Sequence, residues 1–126
     1  MTIIAAIARY LLGLMFLIFG LNDLFMFLPM GPTPPGPAGQ FLGLLISTHY
    51  AWAVGVVMLM SAVTFLINRF VAFGLLLLGP VLVNILLFHL LMLPKGIVVG
   101  AIASLLWMLL AWRHRAAFAP LFQPLA

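Results

Sequence analysis

The sequence predicts an all-α chain: an integral membrane four-helix bundle with a Pro/Gly-rich first loop and a short interfacial helix. Three observations carry this. Of the 126 residues, 67% are hydrophobic and only 5% are charged, whereas a soluble domain carries about a quarter charged residues. The apolar residues fall into runs long enough to cross a hydrocarbon core of about 30 Å. Those runs lack the apolar–polar alternation of barrel strands, and backbone groups in lipid must then be satisfied within a helix. One composition regime extends from residue 1 to residue 126, so a single transmembrane domain is expected.

The first span is expected over about residues 4–28. Only Arg9 precedes the apolar stretch from Tyr10 to Leu21, and no Ala-x-Ala-like site follows it. The run therefore reads as a retained helix and not as a signal peptide. Pro29 to Gln40 holds five prolines and three glycines; it is expected to be irregular, because proline removes backbone donors and breaks helices. Phe41 to Ile46 is apolar but too short to cross, which predicts an interfacial segment over about 38–49. The second span is expected at 50–67, bounded by Asn68-Arg69. The third is expected at 70–93, ended by Pro94-Lys95. The fourth is expected at 96–112, ended by Arg113-His114-Arg115.

The five cations are Arg9, Arg69, Lys95, Arg113 and Arg115, all near the ends of apolar runs. There they read as topology and headgroup anchors. With four spans, all but Lys95 fall on one side, which predicts that both termini are cytoplasmic. Nothing resembles a basic stripe with interleaved aromatics, so nucleic acid is not an expected partner. Cysteine is absent, which excludes thiolate or dithiol catalysis and Cys-ligated metal centres.

Lipid gives no apolar driving force for helix association, so contacts are expected through small residues. Gly13 and Gly20 form such a row on the first span; Gly96, Gly100 and Ser104 form one on the fourth. Both intrachain packing and a homo-oligomer seam fit them. A polar side chain within a span is a candidate for function, because placing it there is costly. The candidates are Asn22, Asp23, Asn84 and His89, which collect toward the outer half together with His49. Asp23, the only acid, is expected either to snorkel or pair with Lys95, or to act as a buried acid beside His89. His89 fits a proton carrier, a metal or haem ligand, a donor to a quinone carbonyl, or a side chain bonded to Asn22, Asp23 or backbone. A haem would need His49 and His89 at matching depth, and two histidines with one acid form a thin metal set. Pro80 is expected to bend the third span, and Asn84, one turn later, to hydrogen-bond across helices. Ser61 and Thr64 are expected to bond their own backbone. The tryptophans fit packing and interfacial belts, and the methionines an adaptable apolar filling.

The stretch from Arg9 to Asn22, the Pro-Gly loop with Phe41-Leu42-Gly43, and above all Asn68-Arg69-Phe70 with Gly79-Pro80 to Phe88-His89 resemble DoxX-like small integral membrane proteins. The likeness runs from about Arg9 to Leu121. It implies a four-helix membrane fold in the bacterial cytoplasmic (inner) membrane. Some members are subunits of quinone-linked oxidoreductases, and others in the wider group are membrane chaperones. Relatives often carry Glu where this chain has Met58, and Gly where it has Ala62; if that acid does chemistry, it is lost here. Asn22, Asn84 and His89 match the family pattern. The expected function is a bundle without catalytic residues of its own that binds a lipid, a quinone or a membrane partner protein. The alternatives are a membrane subunit of a quinone-linked oxidoreductase and small-molecule transport. No cofactor is required, and quinone is the one that would fit.

Overall fold

Each apolar run closes into a helix, and the breaks between them are made by identifiable turns. The fold is taken from a computed structural model describing residues 2–29 and 31–124. In chain order the helices are α1 (Thr2–Phe25), α2 (Pro37–Ser47), α3 (Tyr50–Ile67), α4 (Val71–Leu91), α5 (Ile97–Arg113) and α6 (Arg115–Phe118). A 3₁₀ turn, Ala119–Phe122, follows.

The four long helices pack α1 on α3, α3 on α4, α4 on α5 and α5 back on α1. The core they enclose repeats at helical spacing. Leu12 and Phe16 come from α1; Met58, Ala62 and Phe65 from α3; Val71, Leu75, Leu78 and Leu82 from α4; Ala103 and Leu110 from α5. Small residues set the closest approaches. A Cβ on Gly20 would lie 3.0 Å from the Gly55 carbonyl oxygen, and one on Gly13 would lie 2.9 Å from a Leu66 methyl. On the α4–α5 side, a Cβ on Gly100 would meet Leu86 at 3.3 Å. Ser104, one turn on, donates to the Gly100 oxygen of its own helix at 2.8 Å.

The outward faces are also apolar. Ile18 on α1, Met60 on α3, Leu76 and Leu87 on α4, and Leu105 on α5 are all exposed. Only 28% of the apolar stretch of α4 is buried. Three helices are long and apolar enough to cross a membrane: Ile3–Phe25, Tyr50–Ile67 and Val71–Leu91. Ile97–Arg113 makes a fourth when joined to Arg115–Phe122, whose axis turns away by 81°.

Several local expectations are corrected. The first helix ends at Phe25. There the Asn22 side-chain oxygen accepts from the Leu28 N–H at 2.8 Å, and Met26 turns to a φ of 50°. The irregular loop is shorter than Pro29–Gln40, because α2 starts at Pro37. Proline at the first helical positions loses no intrahelical bond, since the N–H there has no partner in any case. Between α3 and α4 the chain turns within Asn68-Arg69-Phe70, with Asn68 and Phe70 both left-handed. Helix α4 continues through Pro80. Asn84 is exposed and donates to the Pro80 oxygen at 2.8 Å; it bonds its own helix and not a neighbouring one. Thr64 donates to the Ser61 oxygen at 2.7 Å, but the Ser61 hydroxyl is fully buried and has no partner. Arg9, read from the sequence as a topology and headgroup anchor, is 8% exposed and donates to the main-chain oxygen of Phe65 near the end of α3.

Candidate functional site

The helix order brings the end of α1 and the start of α3 together at one end of the bundle, where the loop and α2 also sit. Gly20 and Gly55 face each other, so α1 and α3 approach closely just below that end. One turn beyond Gly20, Asp23 stacks on the same seam: a Cβ on Gly55 would lie 2.8 Å from that of Asp23. Glycine at 55 therefore leaves room for the acid.

Asp23 is half-buried and lines a cavity of about 190 Å³. The cavity is half open and is lined besides by Phe25 and Met26 after α1 and by Ile46, His49 and Trp52 around the start of α3. His49 precedes α3 in a left-handed conformation with a φ of 61°. That turn lays its ring against Trp52, with centroids 4.2 Å apart and planes tilted by 34°. The mouth thus combines one carboxyl group, one imidazole and one indole on otherwise apolar walls. Such a set can hold a polar head by charge and hydrogen bond while an apolar tail runs down the helices.

The four sequence candidates do not form one cluster. Asn22 holds the loop backbone at Leu28. Asn84 bonds the Pro80 carbonyl. The His89 ring nitrogen Nδ1 lies 3.0 Å from the Leu93 oxygen, and since a carbonyl can only accept, Nδ1 carries the hydrogen. His89 also packs against Gly96, where a Cβ would lie 3.1 Å from its ring and where φ is 95°. All three are satisfied by backbone close by in sequence. Asp23 makes no hydrogen bond or ion pair among the described residues, with Lys95 and His89 included. It shares the lining of its cavity with His49 and Trp52. No group of three or more His, Cys, Asp or Glu side chains is placed to hold a metal among the described residues.

Trp107 carries a role that the sequence did not mark. Its indole N–H donates to the Leu75 oxygen at 2.9 Å, joining α5 to α4. Comparison of the chain with protein-family models, with curated proteins and with solved structures finds no match.

Proposed function

We propose that this chain is a DoxX-like integral membrane four-helix bundle, without catalysis of its own, that holds the polar head of a lipid or quinone at the Asp23 mouth. The membrane reading draws on the apolar outer faces, which would find no solvent in water. Both termini are assigned to the cytoplasm, because four of the five cations lie at or near their end of the bundle. The short, largely exposed α2 carries Phe41, Leu44 and Ile46 outward, as suits a helix lying in the interface plane beside the mouth. Met58, buried in the core, stands where DoxX-like proteins often carry Glu, and this favours binding over chemistry.

The observation that carries the reading is Asp23. The chain's only acid lines a cavity with His49 and Trp52 and makes no hydrogen bond or ion pair among the described residues. An unpaired carboxyl group at that depth is costly unless a ligand or water completes it.

The test is to purify the protein in detergent, extract the retained small molecules, and record a visible spectrum of the purified protein. Wild type should retain a phospholipid or a quinone. Asp23→Asn should reduce retention of a phospholipid with an ammonium-bearing head about tenfold, as expected for loss of a charge-assisted contact to the carboxylate. Equal retention by wild type and Asp23→Asn would remove the site. A retained quinone lost on His89→Ala instead would favour the oxidoreductase-subunit reading.

A further inference from the structure

The opposite end of the bundle holds a second, basic cluster that the Asp23 mouth does not use. Arg9, in the third turn of α1, is 8% exposed. It donates to the Phe65 oxygen near the end of α3 and stacks its guanidinium 4.3 Å from the Tyr10 ring centroid, on the helix that packs against both α3 and α5. A guanidinium has five N–H donors. The other Arg9 donors find no acceptor among the described residues, and none of its nitrogens is both sealed from the exterior and unpartnered. His114 follows the last residue of α5, which packs on α1; burial first, then the Arg113 and Arg9 charges, lower its pKa.

A buried cation needs a counter-charge, since a neutral carbonyl offsets only part of its desolvation. This chain has no acidic side chain to supply one there. Asp23 lies fourteen residues along α1 from Arg9, about 21 Å at ~1.5 Å per residue. The other cations at this end do not relieve the imbalance: Arg115 turns to Trp112, donating to its oxygen at 2.9 Å. Beyond the 81° bend, the segment Arg115–Phe122 leaves the bundle axis and exposes Leu121 and Phe122. On the membrane reading, an apolar foot of that kind, lying across the axis, would sit in the interface and hold Arg113 and His114 beside the headgroups.

We propose that Arg9, Arg113 and His114 form a binding site for a phosphate-bearing anion, supplied by the headgroup of an anionic phospholipid. Guanidinium groups match phosphate oxygens in pairs, and the cytoplasmic leaflet is the anionic one. The inference rests on the membrane reading but not on the Asp23 mouth.

The experiment is native mass spectrometry with thermal unfolding in nonionic detergent. It compares added phosphatidylglycerol, phosphatidylcholine and inorganic phosphate. Phosphatidylglycerol should be retained and raise the unfolding midpoint, while phosphatidylcholine and inorganic phosphate should do neither. Arg113→Gln should weaken phosphatidylglycerol retention about fivefold, the scale of one basic residue at an anionic surface. Arg9→Gln should do at least as much if it folds, and Arg113→Gln with His114→Asn avoids that buried position. Equal retention of the two lipids would overturn the site, as would phosphatidylglycerol retention unchanged in the Arg113 and His114 variants. Stabilisation by inorganic phosphate alone would overturn the lipid source. A protein that needs detergent yet does not discriminate between the lipids loses this site while the membrane reading stands.

Discussion

The indole N–H of Trp107 on α5 and the main-chain oxygen of Leu75 on α4 lie 2.9 Å apart, tying together two helices whose contact is otherwise apolar. Only this bond and that from Arg9 to Phe65 join two of the long helices through a side chain among the described residues. Trp107→Phe keeps one aromatic ring and removes the donor together with the five-membered half of the indole. It should lower unfolding free energy in detergent by about 0.5–1.5 kcal/mol, the range for a single interhelical hydrogen bond. An unchanged midpoint would show that the bond contributes nothing.

Gly74 lets α4 lie directly against α3. A Cβ there would stand 1.9 Å from Thr64 Oγ1 and 3.1 Å from Thr64 Cβ. Gly74→Ala should therefore destabilise by about 1–3 kcal/mol, as overpacking does. Adding Thr64→Ala removes the closest atom and should recover part of the loss, read as a non-additive double-mutant cycle. Additive losses would place the strain elsewhere.

His89 is assigned here to the end of α4 and not to the ligand. His89→Ala removes the bond to Leu93 and should cost about 0.5–1.5 kcal/mol in stability. Retention of the amphiphile should stay at the wild-type level. Selective loss of ligand at normal stability would move the site from Asp23 to His89.

His114 follows the last residue of α5, and burial, then the Arg113 and Arg9 charges, hold its pKa below the ordinary imidazole value. The folded state therefore binds fewer protons here than the unfolded chain does. Its contribution favours folding above the unfolded value of about 6.5 and weakens folding as pH falls through that value toward the lower folded one. In nonionic detergent without anionic lipid, the imidazole resonances should titrate below 6.5, and Arg113→Gln should move that titration upward. An unmoved titration in Arg113→Gln would exclude the proposed proximity.

The long apolar helices were legible because their signal is summed over many residues. No single position decides whether Val71–Leu91 is a helix, and even Pro80 does not interrupt it. The end at Phe25 was less legible, because one side-chain bond from Asn22 sets it. The interfacial helix expected at about 38–49 is found at Pro37–Ser47, and only the irregular stretch was drawn too long, because proline's effect depends on whether it stands in the first turn or the interior.

Polar residues were easy to find and hard to assign. Asn22, Asn84 and His89 bond to main-chain atoms close by in sequence, a local competition that composition does not reveal. His49 gained its place beside Asp23 only through the left-handed turn before α3 and the α1–α3 register.

Composition alone dictated apolar helices, the absence of thiol chemistry and a single acid, since these follow from which side chains exist. Packing decided which of them meet. The Gly20–Gly55 approach puts Asp23 in a cavity that His49 and Trp52 also line, and the packing of α1 on α3 brings the buried Arg9 to the Phe65 oxygen. Contacts between residues distant along the chain depend on how close two backbones come, and in this bundle that distance is set by glycines on different helices.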